Sequence, residues 1–493
     1  MRARPLSLDP GNTKLDVLFQ ACAHPVTVAV PPKCWSAIDA AHATVKKLCD
    51  KDHPTYGINT GFGKLANQQI SSDKLTQLQH NLLLSHCCGV GKPLDDAVVR
   101  LMMVLKVLSL ARGFSGVRRL LIDHLIQLIN ADVLPVIPEK GSVGASGDLA
   151  PLAHMSAVLI GVGETKVEGH IVSAKEGLKA AGLEPLVLAP KEGLALINGT
   201  QASTALCLHA LFRMRNVFTS ALVTGAMSVD AMKGSDAPFD PRIHTLRSHP
   251  GQIEVARIFR KLLGGSSIRA SHLDCEKVQD PYSLRCQPQV MGAVLDSMIH
   301  AQELLFREAN AVTDNPLVFS ASNEALSGGN FHAEPVGLVA DQMAVAISEI
   351  GSIAERRVAN LVDPTLSLLP PFLVDEPGLN SGFMIAQVTT AALASENKTL
   401  SHPASVDSLP TSANQEDHVS MATYAARRLG NMLDNLEHII AIELLAAAQA
   451  IEFHRPTTSS DAIEAAVAEV RGSVSRYETD RYFAKDIETA ASL

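Results

Sequence analysis

Long stretches of the chain repeat apolar residues at intervals of three and four positions. The two clearest runs are Val339, Met343, Ile347, Ile350 and Ile353, and Leu429, Leu433, Leu436, Ile440 and Leu444. This spacing gathers the apolar side chains on one face of a helix of several turns. The segment from Val294 to Ala309 has the same pattern. Long helices with such faces predict a helical bundle, and wide apolar faces also favour contacts between subunits.

The N-terminal part of the chain has a more mixed pattern. A short β-prone run at Val26–Val30 is followed by a helical pattern from Ser36 to Leu48. The sequence therefore predicts a mainly α protein in two parts. These are an N-terminal mixed α+β globular domain at residues 1–112 and a long, extended helical bundle at residues 113–493.

Composition and charge narrow the classes of function. Hydrophobic residues make up 46% of the chain and aromatic residues only 4%, which favours helices packed by aliphatic side chains. The net charge is -9 without any block of like charges, which argues against binding to nucleic acid or to an anionic membrane. A small-molecule substrate is therefore expected.

No segment predicts export or membrane insertion. The most apolar stretch, Ile439–Ile451, contains Glu443 and Gln449 and is too short to span a bilayer. The first residues lack the apolar segment of a signal peptide. The eight cysteines form no Cys-x-x-Cys pair, which argues against a zinc ribbon and is typical of reduced thiols. We expect a cytoplasmic protein.

Small residues dominate the segment Gly141–Leu152, which leads into a predicted helix start between Asp148 and Pro151. One interpretation is an anion-binding loop at a helix N-terminus. The segment lacks both the Lys-Ser or Lys-Thr ending of a Walker loop and the glycine spacing of a dinucleotide-binding loop.

The tripeptide Ala145-Ser146-Gly147 allows a second, chemical interpretation of this segment. The nitrogen of Gly147 can attack the carbonyl carbon of Ala145, because glycine permits the compressed backbone that this requires. Loss of water closes a five-membered ring, and loss of the Ser146 hydroxyl leaves an exocyclic methylene. The product, 5-methylidene-imidazol-4-one, is a strong electrophile. Three small residues alone do not decide between the two interpretations.

Blocks along almost the whole chain resemble the aromatic amino acid ammonia-lyases. They are Tyr56-Gly-Ile-Asn-Thr-Gly-Phe-Gly63, Leu84-Ser-His86, Gly141–Leu152, Leu196-Ile-Asn-Gly-Thr-Gln201, Lys277-Val-Gln-Asp-Pro-Tyr-Ser-Leu-Arg-Cys-Gln287, Ser327-Gly-Gly-Asn-Phe-His332 and Ser412-Ala-Asn-Gln-Glu-Asp417. The resemblance implies elimination of ammonia without an added cofactor, through a methylidene-imidazolone formed from Ala145-Ser146-Gly147. It also implies a homotetramer in which residues from three subunits build each active site.

The same resemblance assigns roles beside the electrophile. Tyr56 would be the general base that removes a β-proton from the substrate. A free phenol is a weak base at neutral pH, so its surroundings must favour the phenolate. Phe331 would pack beside the electrophile and hold it in place. Without the resemblance, Tyr56 would be interpreted as a turn residue and Phe331 as part of an ordinary core.

Four further residues are implied to bind the substrate. The guanidinium group of Arg285 would clamp the substrate carboxylate with paired hydrogen bonds. Asn198 and Tyr282 would hydrogen-bond the carboxylate, the amine or the ring, and Gln279 could join them. Taken alone, Tyr282 and Arg285 would be interpreted as a pair that faces solvent.

His86 and Glu416 favour L-histidine as the substrate. The resemblance places both against the substrate side chain, and relatives that act on phenylalanine usually carry glutamine where this chain has Glu416. A carboxylate suits a ring with N–H donors and is unfavourable opposite a phenyl ring. The products would be trans-urocanate and ammonia. The sequence leaves open whether the amine or the imidazole ring of the substrate attacks the electrophile.

Several alternatives stay open at this stage. Within the family they are an ammonia-lyase for tyrosine or phenylalanine and a 2,3-aminomutase. Outside it they are a lyase of the fumarase type, for which no signature loop is found near Ser327–Asn330, and a non-enzymatic anion-binding helical scaffold. A metal enzyme is not favoured, because His332-Ala-Glu334 and the scattered histidines lack a compact ligand spacing.

Overall fold

The structure is a computed structural model that describes residues 4–50, 54–271 and 278–493. Cys275, one of the eight cysteines, and Lys277, the first residue of one of the family-like segments, lie outside these residues. Helices dominate the described chain and the strands are short, which confirms the prediction of a mainly α protein. The cysteines that the structure describes are free thiols.

The chain forms two compact units that do not divide at residue 112. The first comprises residues 1–210, 302–341 and 403–428, and the second comprises residues 211–301, 342–402 and 429–493. Most of these boundaries fall inside long helices, which are Gln201–Ala231, Gln287–Ala309, Glu334–Val362 and Ala422–Glu452. Each unit therefore combines segments that are distant in sequence, and a pattern read along the chain could not locate the division.

The first unit contains short helices around an aliphatic core. They are Leu15–Ala23, Trp35–Cys49, Leu75–His86, Asp96–Leu110, Arg119–Asn130, Leu149–Ala157, Ala174–Ala180 and Glu192–Ile197, with 3-10 turns at Pro32–Cys34, Gly63–Leu65, Ser72–Lys74 and Val158–Ile160. Helix Trp35–Cys49 confirms the helix predicted from Ser36 to Leu48. It buries Ile38, Ala41 and Val45, which share one helical face.

The strands that the structure describes also belong to the first unit. Arg4–Ser7 pairs in parallel with Val26–Ala29, which confirms the β-prone run, and every other pair is antiparallel. The antiparallel strands are Val90–Pro93 with Pro138–Lys140, Leu134–Pro135 with Glu164–Val167, Glu164–Val167 with His170–Ser173, and Leu317–Phe319 with Glu324–Leu326.

The long helices confirm the apolar runs from which they were predicted. Helix Glu334–Val362 buries Val339, Met343, Ile347 and Ile350. By length and composition this helix is apolar enough to cross a membrane, but 67% of its most apolar window is buried inside the structure. Its apolar side chains therefore pack against the rest of the protein, as expected of a core helix.

The described residues of the second unit form helices and connecting loops and contain no strand. Its shorter helices are Pro241–Arg247, Pro250–Leu263, Ser267–Ala270, Tyr282–Arg285, Pro364–Ser367, Met384–Leu400, Asp461–Ser473 and Ala484–Ala491, with 3-10 turns at Ala237–Phe239 and Pro371–Leu373. A fully buried ion pair between Arg357 and Glu443 lies inside this unit. The Thr224 and Ser228 hydroxyls also donate to the Glu443 carboxylate, so its charge is compensated from several sides.

Candidate active site

The tripeptide Ala145-Ser146-Gly147 lies in a tight, buried loop of the first unit. Gly147 has a φ of +75° and forms a parallel β-bridge with Gly199. The next residue, Asp148, donates its backbone N–H to the Gly199 carbonyl oxygen at 2.8 Å. Two helices begin beside this bridge, at Leu149 and at Gln201. Their N-terminal dipoles favour electron density on the tripeptide, as an electrophile at this position requires.

The close approach of Gly199 explains why Gly147 is glycine. A Cβ atom at Gly147 would lie 2.3 Å from the Gly199 carbonyl oxygen. We expect Gly147→Ala to lower the free energy of unfolding by about 3 kcal/mol, from the left-handed backbone and the collision together. Gly182→Ala is the matched control, since Gly182 has a φ of +71° and open space around its Cβ position. The control should cost about 1 kcal/mol in urea unfolding, and equal costs would contradict this account of the loop.

Asp148 fixes the tripeptide loop to neighbouring helices through hydrogen bonds. Its buried carboxylate accepts hydrogen bonds from the backbone N–H and hydroxyl of Ser203, at 2.7 and 2.9 Å, and from the Thr423 hydroxyl at 2.8 Å. Ser142, in the loop itself, donates to the same carboxylate at 3.3 Å. Burial raises the pKa of Asp148 although these hydrogen bonds oppose the shift. This network joins the loop to helices Gln201–Ala231 and Ala422–Glu452.

Asn198, which is predicted from the sequence to bind the substrate, contacts the tripeptide directly. Its side-chain amide donates to the Ser146 carbonyl oxygen at 2.8 Å. The buried amine of Lys106 donates to the carbonyl oxygens of Ala195 and Asn198, at 3.1 and 2.9 Å. Burial lowers the pKa of Lys106 to about 7, despite the opposing charge of Asp314. Lys106 was not among the residues predicted from the sequence, although a single lysine inside an apolar helix is a usable signal.

Glu416 lies on the cavity side of the tripeptide. Its carboxylate accepts hydrogen bonds from the hydroxyl of Ser146 and, at 2.6 Å, from the hydroxyl of Thr411. Burial alone would raise the pKa of Glu416, but hydrogen bonds from Ser146, Thr411 and Ser412 outweigh burial and hold it below its usual value. Glu416 is therefore ionised at neutral pH and can accept a hydrogen bond from a ligand.

His86 ends helix Leu75–His86 and faces the same cavity as Glu416. Its Nδ1 atom lies 2.8 Å from the Leu82 carbonyl oxygen. A carbonyl oxygen can only accept, so Nδ1 carries the proton and Nε2 is an acceptor. Burial lowers the pKa of His86 and outweighs the opposing effects of Leu82 and Glu416. His86 is therefore neutral at pH 7.

Two adjoining cavities meet at the tripeptide. One has a volume of about 500 Å³ and the other about 690 Å³, which is ample for a single amino acid. Both cavities are lined by Tyr56, Gly63, Ser146, Asn315, Phe331 and Glu416. The smaller cavity is also lined by His86 and Asn198. The structure thus brings together the predicted electrophile, base and side-chain contacts inside the first unit.

Tyr56 reaches this cavity from the glycine-rich loop. Its phenol oxygen accepts a hydrogen bond from the backbone N–H of Gly63 at 3.3 Å, so the loop folds back on its own side chain. Gly57, with a φ of +73°, permits this turn. Phe331 lies in the loop that precedes helix Glu334–Val362.

Gln279, Tyr282 and Arg285 belong to the second unit and do not line either cavity. Tyr282 and Arg285 lie in the short helix Tyr282–Arg285, and the guanidinium carbon of Arg285 is 4.5 Å from the Tyr282 ring centroid. Tyr282 is 71% exposed, which is unusual for an aromatic side chain. Within the described residues, the buried Nε atom of Arg285 has no hydrogen-bond partner.

Residues 4–50, 54–271 and 278–493 contain no group of three His, Cys, Asp or Glu side chains placed to hold a metal ion. His332 and His418 stack with ring centroids 5.8 Å apart. The Nε2 atom of His332 lies 3.1 Å from the His418 carbonyl oxygen. These histidines therefore contact each other and the backbone.

Comparison with known proteins shows the family to which the chain belongs. The family model for aromatic amino acid lyases matches residues 14–472. A histidine ammonia-lyase of Burkholderia lata is 60% identical over 488 residues, which cover 99% of this chain and 96% of the relative.

Two solved structures show the same fold. The histidine ammonia-lyase from Trypanosoma cruzi has a TM-score of 0.92 at 41% identity, over 99% of this chain and 92% of that chain. The tyrosine aminomutase from Streptomyces globisporus has a TM-score of 0.93 at 36% identity, over 99% of this chain and 96% of that chain. The fold, the sequence match and the tripeptide together identify the chain as a member of the aromatic amino acid lyase family.

Proposed function

We propose that the protein is a carbon–nitrogen lyase that eliminates ammonia from L-histidine and forms trans-urocanate. The observation that carries this proposal is one cavity lined by Ser146, Tyr56, His86 and Glu416. Ser146 would form part of the electrophile and Tyr56 would be the general base. His86 and Glu416 can both accept hydrogen bonds from an imidazole ring. The relative that is 60% identical bears the same activity in its name, which supports the choice of substrate.

The tripeptide fits the protein-derived methylidene-imidazolone that the family resemblance implies, without an added cofactor. Gly147 already has the left-handed backbone that ring closure needs, and Gly199 packs too closely for a side chain. Asn198 holds the Ser146 carbonyl oxygen. Once formed, the group would supply an electrophile that makes the substrate amine a better leaving group.

The surrounding side chains bind the substrate and move its proton. Glu416 accepts an N–H of the imidazole ring, and His86 offers a second acceptor at Nε2. Tyr56 removes a proton from the β-carbon while the C–N bond breaks, which leaves the double bond of trans-urocanate and releases ammonia. Phe331 lines both cavities with Ser146 and would pack beside the electrophile.

We further propose that Gln279, Tyr282 and Arg285 serve the cavity of a neighbouring copy in a homotetramer. Arg285 would bind the substrate carboxylate there, with Tyr282 beside it. Two observations support this: Tyr282 is 71% exposed in the single chain, and the buried Nε atom of Arg285 has no hydrogen-bond partner among the described residues. A cytoplasmic location belongs to the same proposal.

The activity itself is tested by adding L-histidine to protein purified without cofactors and following the absorbance of urocanate. L-Tyrosine and L-phenylalanine are tested at equal concentrations as alternative substrates. We expect urocanate and ammonia from histidine in equal amounts, and little product from the other two. The structural match to a tyrosine aminomutase makes a β-amino acid the second candidate product. Formation of a β-amino acid, or preference for tyrosine, would contradict the proposed activity.

Replacement of Glu416 by glutamine tests the choice of substrate. We expect kcat/KM for L-histidine to fall by about 10²-fold, because a hydrogen bond to a charged acceptor is lost from a desolvated ring. The free energy of unfolding should change by less than about 1 kcal/mol, since Glu416 is only half-buried. Glu324→Gln, at an exposed position of the same unit, is the matched control. Unchanged kinetics in Glu416→Gln would remove this carboxylate from the substrate pocket.

A further inference from the structure

The two carboxylate oxygens of Glu416 have separate hydroxyl donors. The Ser146 hydroxyl donates to Oε1, and the Thr411 hydroxyl donates to Oε2 at 2.6 Å. Thr411 is also tied to Glu416 through the backbone in an antiparallel bridge. The Thr411 N–H donates to the Glu416 carbonyl oxygen at 2.8 Å, and the Glu416 N–H donates back at 3.3 Å. Three hydrogen bonds therefore fix Glu416 relative to Thr411.

The residues between Thr411 and Glu416 form a strained turn. Ser412, Ala413 and Asn414 have φ values of 51°, 53° and 64°, a left-handed conformation that non-glycine residues rarely adopt. Such a turn persists only where its ends are held. The Thr411–Glu416 bridge and the hydroxyl contact hold these ends and aim the carboxylate at Ser146.

The two donors differ in permanence if the proposed function is correct. Formation of the electrophile breaks the Cα–H and Cβ–O bonds of Ser146, forms a Cα–Cβ double bond and releases hydrogen and hydroxyl as water. The Ser146 hydroxyl that donates to Oε1 is then lost, while the Thr411 hydroxyl still donates to Oε2. Oε1 becomes free for a ligand at the same time as the electrophile appears.

We propose, on the basis of the proposed function, that Thr411 is a positioning residue for substrate specificity. Its hydroxyl holds Oε2 of Glu416, so that Oε1, freed by dehydration of Ser146, accepts an N–H of the substrate ring. Maturation of the tripeptide thus creates the electrophile and also exposes the acceptor that selects the ring. Thr411 was not among the residues predicted from the sequence.

Several titratable groups surround the Glu416 carboxylate. His86 and Tyr56 share the smaller cavity with it, and His332, Glu334, Asp417 and His418 line the adjoining one. Burial raises the pKa of Glu416 and the hydroxyl donors lower it. After the Ser146 hydroxyl is lost, the hydroxyls of Thr411 and Ser412 remain to stabilise the carboxylate. Removing the Thr411 hydroxyl should therefore raise the pKa of Glu416.

The test is the pH dependence of kcat/KM for L-histidine in Thr411→Val and Thr411→Ser. Valine keeps the shape of threonine without the hydroxyl, and serine keeps the hydroxyl. We expect Thr411→Val to lower kcat/KM at neutral pH about tenfold. The acidic limb of the profile, the pH range over which kcat/KM falls as Glu416 becomes protonated, should move to higher pH by about one unit. Thr411→Ser should keep the wild-type limb within about 0.3 units.

The same substitution in the Glu416→Gln background separates positioning from folding. The side-chain amide of glutamine does not titrate. In this background Thr411→Val should therefore lower kcat/KM by less than about twofold and should not shift the acidic limb. A uniform loss at all pH values, or an unshifted limb in Thr411→Val, would overturn the proposed role of Thr411 while histidine lyase activity stands. Failure of the wild-type protein to form urocanate would instead overturn the proposed function and this role together.

Discussion

Ser146→Ala should reduce the turnover of L-histidine by at least about 10³-fold. Without the hydroxyl, no second water can leave and no methylene can form. The folded structure should change little, because the Ser146 side chain donates only to the half-buried carboxylate of Glu416. The measurement is kcat from urocanate absorbance, with the free energy of unfolding from urea titration.

Ser156→Ala is the matched control for this prediction. Ser156 lies in helix Leu149–Ala157, which begins two residues after the tripeptide, and its buried hydroxyl has no hydrogen-bond partner among the described residues. Loss of an unpaired buried hydroxyl is near neutral for stability. We expect wild-type turnover from Ser156→Ala. Substantial turnover by Ser146→Ala would show that the electrophile does not come from this serine.

Tyr56→Phe should lower kcat by about 10²- to 10⁴-fold, the range that general base catalysis contributes. Phenylalanine keeps the ring that lines both cavities and removes only the phenol oxygen beside Gly63. The electrophile should still form, because Ser146 and Gly147 are unchanged. Tyr482→Phe, at a position 76% exposed in the second unit, should be fully active. More than a tenth of wild-type kcat in Tyr56→Phe would exclude this phenol as the base.

The same variant tests whether active sites are shared between subunits. Tyr56→Phe chains supply an intact Arg285, and Arg285→Ala chains supply an intact Tyr56. If each site takes these residues from different copies, unfolding and refolding the two variants together should restore activity that neither shows alone. Restoration is expected because some mixed tetramers contain cavities with both native residues. A mixture no more active than its components would place all site residues in one chain.

Much of the fold was predictable because local periodicity determines helices. The apolar run from Val339 to Ile353 and the helix from Ser36 to Leu48 both appear where their spacing indicated. The division into units was not predictable in this way. Its boundaries fall inside helices such as Gln201–Ala231, where no loop, proline or change of composition marks them.

The candidate site shows a similar limit. The glycine-rich segment around Ser146 attracts attention by itself, but its partner Glu416 lies 270 positions away. Only the family resemblance joined these two residues before the structure did. Thr411 gives no signal in the sequence, because its importance comes from a hydrogen bond to one oxygen of Glu416. Contacts of this kind depend on tertiary packing, which periodicity does not encode.

Mass spectrometry of the active, wild-type protein tests the central claim most directly. After proteolysis, the peptide that contains residues 145–147 should be lighter than its sequence by the mass of two water molecules, one from ring closure and one from Ser146. Ser146→Ala should lack the second loss. An unaltered peptide in protein that converts L-histidine at full rate would contradict the entire account.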